Sequence, residues 1–117
     1  MTWRVEVYRD RRGISPVEEF IRRLPAKHQA RIAWTVALLQ EYGLDLALPY
    51  ARHLEGKLWE LRIRAGRSAY RIIYFAHIGQ RFVLLHAFSK KGQKTPRREL
   101  EIARRRLEDY LEREEAG

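Results

Sequence analysis

The sequence predicts an α+β fold, with helices in a layer on one face of a small, mostly antiparallel sheet, in the order β-α-α-β-β-β-α. Three observations carry that prediction. A period-two run opens the chain, two helical stripes with their own start and stop signals follow, and three short strand-like runs succeed one another between residues 58 and 88. A last, charged helix closes the sequence. A chain of 117 residues has room for one core, so the expectation is a single domain over residues 1–117.

In the first run Trp3, Val5 and Val7 alternate with Arg4, Glu6 and Tyr8, as on a strand with one face buried. Ser15-Pro16-Val17-Glu18 has the form of a capping box: a hydroxyl for the N3 amide, proline at N1, and a glutamate able to reach back. Val17, Phe20, Ile21 and Leu24 make the apolar stripe of the helix that starts there. A second helix begins at Pro25, carries Ile32, Ala33, Val36, Leu38 and Leu39, and stops at Tyr42-Gly43. Residues 44–56, LDLALPYARHLEG, hold Pro49 and Gly56 without a clean period and read as a connecting loop. The runs 58–64, 70–76 and 82–88 are joined by glycine-containing links of hairpin length, which predicts an antiparallel meander. Thr95 and Pro96 suit the N-cap and N1 positions of the final helix, whose stripe is Leu100, Ala103, Leu107, Tyr110 and Leu111. That stripe is fit to pack on the sheet or to bind a partner.

Charge narrows the function. With 24 Lys+Arg against 15 Asp+Glu the formal net charge is +9, and the sequence pI of about 10.3 is that of a protein that meets polyanions. Nucleic acid, an anionic membrane and an acidic protein all fit. No apolar run reaches membrane-spanning length and none follows the first Met, so the expectation is a cytoplasmic chain with no membrane partner. The lack of cysteine excludes disulfides, thiolate catalysis and cysteine-based zinc sites. The four histidines show no metal-ligand spacing, so no metal or cofactor is expected.

The strings KLWELRIRAGRSAYRIIYF and VLLHAFSKKGQKTPRRELEIARRRL, set in this element order, resemble the RelE/ParE superfamily of toxins, and most closely its HigB-like, phage-derived branch. The resemblance runs from Val5 to about Tyr110. Its most specific parts are L-W-E-L-R at 58–62, Y-R-I-I-Y at 70–74 and F-S-K-K-G-Q-K-T-P-x-x-E at 88–99. It implies a type II toxin silenced by a cognate antitoxin, usually a small helix-turn-helix protein. HigB-like and RelE-like members cleave mRNA in the ribosomal A site, so mRNA and ribosomal RNA become expected partners. ParE-like members inhibit DNA gyrase, and an inactive nucleic-acid-binding relative is a third reading. One fold serves different chemistries, so the residues must choose.

Metal-free RNA cleavage needs an acceptor for the 2′-hydroxyl proton, cationic donors for the pentacoordinate phosphate, and a donor to the leaving 5′-oxygen. Arginine suits the second task because its planar fork makes two parallel hydrogen bonds to phosphate oxygens. Arg62 shares the polar face of its strand with Glu60 and Arg64, and fits either a phosphate clamp or a solvated arginine paired with Glu60. Arg71 shares parity with Ile73 and Phe75, a costly place for a charge unless that face opens onto a groove. Both sit where the superfamily's strand arginines fall. Lys90 and Lys91 match the family's paired lysines. Among other cations either could lose its proton readily enough to act as base; otherwise it clamps phosphate or faces water.

Lys57, Lys94, Arg97 and Arg98 are further cationic candidates for RNA backbone, with solvated surface as the alternative. Tyr74 and Phe88 fit either base stacking or core. Glu60 fits a base, an orienter of Arg62 or a cross-strand ion pair. His86 has the parity of Phe82, Leu84 and Phe88 and reads as a sheet-face histidine, and no histidine lies beside Lys90-Lys91. Arg104, Arg105 and Arg106 fan around the last helix, toward ribosomal RNA or toward water.

Overall fold

The computed structural model describes residues 2–117. Its strands are β1 (Arg4–Val7), β2 (Ala51–Glu55), β3 (Leu58–Ala65), β4 (Ser68–His77) and β5 (Arg81–Ser89). Its helices are α1 (Pro16–Arg22), α2 (Ala26–Tyr42) and α3 (Arg97–Ala116), with a 3₁₀ turn at Gly43–Asp45. One sheet takes the strands in the order β1-β5-β4-β3-β2. β1 runs parallel to β5, and each other neighbouring pair is antiparallel.

Two expectations about the architecture need correction. The stretch 44–56 is not only a loop: it contains β2, which forms a hairpin with β3 across Gly56 and Lys57. ARHLE lacks apolar alternation, and its pairing is set by β3 rather than by a buried face of its own. The helices also do not form one layer. α1 and α2 cover one face, where Val17, Ile32 and Leu39 pack on Leu61, Ile63, Ile72, Phe82 and Leu84. α3 covers the other, where Ala103 and Leu107 pack on Ile73, Phe75, Val83, Leu85 and Phe88. The sheet is therefore buried on both sides, which accounts for the near-continuous apolar runs of β4 and β5. The stripe of α3 is spent on the sheet rather than left for a partner.

A β-bulge corrects the parity of β5. Ile73 lies opposite His86 but Tyr74 opposite Leu84, so Leu85 is the extra residue. A bulge shifts the alternation by one. His86 and Phe88 consequently join Val83 and Leu85 on the α3 side, opposite to Phe82 and Leu84.

Local signals are used in unexpected ways. Ser15 accepts from the Glu18 amide at 3.1 Å, as a cap should, while the Glu18 carboxylate turns to Arg9 at 3.3 Å instead of back to the cap. At the start of α3 the N-cap position falls on Pro96, and Thr95 is released for another partner. Gly43 ends α2 at φ +57°, and a Cβ there would collide with the Trp3 indole, which is stacked on Phe82 at 4.4 Å. Gly43→Ala is thus expected to cost about 2 kcal/mol or more, seen as a lower thermal midpoint. An unchanged midpoint would show that the Trp3 side of the core yields freely.

α3 is tied down along its length. Tyr8 donates to Asp109 at 2.6 Å, Arg113 joins the same carboxylate at 2.6 Å, and Arg106 donates to the Leu85 carbonyl at 2.9 Å and to His86 Nδ1 at 3.1 Å. Because a guanidinium only donates, Nδ1 is the acceptor and Nε2–H donates to Glu99 at 2.7 Å. Burial holds the His86 pKa below its ordinary value, helped by Arg106 and opposed by Glu99. The unfolded chain therefore binds more protons here, so this stability is present above about pH 6.5 and is lost as the pH falls through the depressed folded value. Thermal midpoints should drop on that descent, and the drop should be shallower in His86→Gln.

Candidate active site

Strand register gathers the charged residues. Arg52 lies opposite Glu60, and Arg62 opposite Arg71, so all four occupy one end of the sheet on the side that α3 shares. α3 packs mainly on β5 and β4, and its approach segment brings Thr95 over this end. Glu60 is fully buried. Its Oε1 accepts from the Thr95 hydroxyl at 2.8 Å, and its Oε2 lies 3.1 Å from Arg52 and 3.7 Å from Arg71 Nε. Arg71, only 8% exposed, also donates to the Tyr70 carbonyl at 3.1 Å. The parity that pointed Arg71 toward Ile73 and Phe75 thus carries it to a buried carboxylate.

Lys90 leaves the end of β5 with its amide on the Ala69 carbonyl at 2.8 Å, and its ammonium is buried. Burial, then the Arg71 guanidinium, hold its pKa below the usual lysine range, with Glu60 pulling the other way. Burial likewise depresses Arg71, against the pull of Glu60. Arg52 Nε, Glu60 Oε2, Arg71 Nε and Lys90 Nζ are the buried side-chain polar atoms that lack a hydrogen bond among the described residues. They all belong to this one cluster. A buried polar atom without a hydrogen bond costs about 1–3 kcal/mol, and although Glu60 offsets part of the charge of Arg52 and Arg71, three cationic side chains share one buried carboxylate and keep donor capacity of the kind that binds a phosphate group.

The profile of the family described as "Phage derived protein Gp49-like (DUF891)" matches residues 19–108. The chain belongs to the Gp49-like family. That family is the HigB-like, phage-derived branch of toxins that the sequence resembles. Among curated relatives, proteins named "Probable endoribonuclease HigB1" from two Mycobacterium tuberculosis strains, CDC 1551 / Oshkosh and ATCC 25618 / H37Rv, are each 38% identical over 76 residues. The aligned part is 64% of this chain and spans 59% of each relative's length.

Within this Gp49-like chain the remaining candidates separate. Lys91 does not join Lys90: it is exposed, and with Phe88, Lys94, Pro96 and Glu99 lines a shallow cleft of about 330 Å³. Successive residues leaving a strand point apart, so the paired lysines face two places. Phe88 is mostly core, stacked on His86 at 5.4 Å, with only its edge in that cleft. Tyr74 is corrected to core: 3% exposed among Trp59, Ala76 and Phe82 on the α2 side, away from the cationic cluster. Lys57 sits exposed at the β2–β3 hairpin tip, and Arg97 and Arg98 lie exposed at the start of α3. The arginine triple splits too: Arg104 pairs with Glu55, Arg106 turns inward to Leu85 and His86, and Arg105 is exposed.

The histidines are engaged elsewhere. His86 uses both ring nitrogens, His28 is 2.6 Å from the Tyr70 hydroxyl, and His53 bonds the Gly56 carbonyl at 2.8 Å. Sequence reasoning missed Arg52 and Thr95 as members of the site. The usable signal was Thr95 itself, whose hydroxyl suits a helix cap and a buried carboxylate equally well.

Proposed function

We propose that this chain is the toxin of a type II toxin–antitoxin pair and a ribosome-dependent, metal-independent mRNA endoribonuclease of the cytoplasm. One observation carries the reading: Arg52, Arg71 and Lys90 are gathered around the single buried carboxylate of Glu60, and each keeps a buried nitrogen that makes no hydrogen bond among the described residues. The name of the Mycobacterium tuberculosis relatives supports it at the level of the family.

In this reading Arg71, Arg62 and Arg52 hold the non-bridging oxygens of the scissile phosphate and stabilise the added negative charge. The neutral amine of Lys90 takes the proton from the 2′-hydroxyl. The 2′-oxygen then bonds to phosphorus as the bond to the 5′-oxygen breaks, giving a 2′,3′-cyclic phosphate and a 5′-hydroxyl, with the leaving oxygen protonated from solvent. Glu60 keeps the cations assembled and confines Arg71. Lys91, Lys94, Arg97 and Arg98 meet RNA backbone at the rim, and the cognate antitoxin, a small helix-turn-helix protein, covers the basic surface with acidic and apolar residues.

Single-turnover cleavage of mRNA on programmed ribosomes tests the chemistry. A 2′-deoxy sugar at the cut position should abolish cleavage there, and the rate on all-ribose message should rise with pH and level off below the ordinary lysine range as Lys90 loses its proton. Cleavage that persists at the deoxy position refutes attack by the 2′-oxygen. Intact message with damaged DNA would instead favour gyrase as the target.

A further inference from the structure

Beyond the Glu60 cluster a second cationic cleft, about 410 Å³, lies at the edge of β3 where β2 no longer pairs with it. Arg62 and Arg71 line it, so it continues from the cluster, and Arg31, Arg64, Thr35 and Tyr50 complete its sides. No acidic side chain lines it, and Arg31, Arg62 and Arg64 form no ion pair among the described residues. Arg31 is held in place nonetheless. Its Nε donates to the Arg64 carbonyl at 3.3 Å, and its guanidinium lies 4.3 Å above the ring of Trp34.

Tyr50 is shared between this cleft and an adjoining groove of about 380 Å³ that also holds Trp34, Leu38, Tyr42 and Leu48, with Asp45 as the one acidic side chain on its wall. Trp34 meets Tyr50 edge-on at 5.7 Å and is 43% exposed, an unusual degree for a tryptophan in contact with an arginine and another ring. One fixed guanidinium, two further arginines and an exposed aromatic platform form the combination that grips a single strand: charge for the backbone, a ring face for a base. An acidic protein segment would need the arginines but not a ring face set beside them.

We infer that this cleft and groove hold the single-stranded RNA flanking the scissile phosphate, with its backbone running from Arg62 onto Arg31 and Arg64 and a base on Trp34. The inference rests on the endoribonuclease reading for which strand is bound, but its test is a binding measurement that needs no cleavage. The full-length chain is titrated with a short, fluorescein-labelled 2′-O-methyl RNA over a range of salt concentrations. Arg31→Ala and Arg64→Ala should each weaken binding about fivefold or more and lower the slope of log affinity against log salt by about 0.7. Arg105→Ala removes the same charge from the exposed side of α3 and should have a smaller effect. Trp34→Ala should weaken binding about fivefold or more, Trp34→Phe should restore most of it, and neither should matter for an abasic strand of equal length.

Equal losses from Arg31→Ala and Arg105→Ala would reduce the cleft to general electrostatics and overturn the inference. So would a Trp34→Ala effect that survives on the abasic strand, absence of binding by the unsubstituted chain, or variants that bind RNA normally but escape a co-expressed antitoxin. Should the unsubstituted chain leave messages uncut while Arg31→Ala and Trp34→Ala still lose RNA affinity as described, the endoribonuclease reading fails and the strand-binding cleft stands.

Discussion

Arg71→Ala is expected to lower the single-turnover rate of mRNA cleavage by about 10²-fold or more while leaving ribosome association nearly unchanged. Arg71 is buried beside Glu60, so its guanidinium cannot swing into place on demand; it is pre-oriented. A fixed donor aimed at developing negative charge needs no reorganisation as the transition state forms, and loss of one such donor typically costs about 10²–10³ in rate. Arg71→Lys restores the charge but not the fork and should recover little of the rate. Removing exposed Arg97 should act through affinity instead, with a steeper loss at high salt and a near-normal rate at saturation. A cleavage rate for Arg71→Ala within about threefold of the unsubstituted rate would remove Arg71 from the reaction, given losses of about 10² for a donor of this kind.

Glu60→Ala is expected to destabilise the fold more than any other single change at the site, by about 3 kcal/mol, or roughly 10 °C in thermal midpoint. The carboxylate is completely buried and is the counter-charge for Arg52 and Arg71. Without it two guanidiniums and the Lys90 ammonium face one another, and the Thr95 hydroxyl loses its acceptor. Removing one partner of a buried ion pair is costly because the other charge stays behind unpaired. The same reasoning predicts a remedy: phosphate or sulfate should raise the midpoint of Glu60→Ala markedly, since the anion replaces the missing charge, and should do so much less in the Glu60→Ala, Arg71→Ala double variant. A midpoint for Glu60→Ala near that of the unsubstituted chain, with no response to phosphate, would mean that the cations are held apart by other contacts.

Much of this site can be read from strand parity. Alternation along 58–64 puts Glu60, Arg62 and Arg64 together, and the conflict between Arg71 and its apolar neighbours marks that residue as one with a specific partner. Three features escape such reading for physical reasons. β2 has no apolar alternation, because the pairing of ARHLE is set by β3, and Arg52 is hidden with it. The bulge at Leu85 leaves no mark in composition, yet it moves His86 and Phe88 to the opposite face. The divergence of Lys90 and Lys91 depends on where β5 ends, a boundary that propensity does not fix to the residue. Thr95 was legible as a polar residue near a helix start, but its partner lies on β3, far away in sequence.

The most direct test of the central claim is to map mRNA 5′ ends by primer extension after induction without the antitoxin, side by side for the unsubstituted chain, Lys90→Ala and Arg71→Ala. New ends within translated messages for the unsubstituted chain, at codon boundaries and absent from both variants, are the predicted result. Messages left whole by the unsubstituted chain, or cut equally by all three, would contradict a catalytic site built on Arg71 and Lys90.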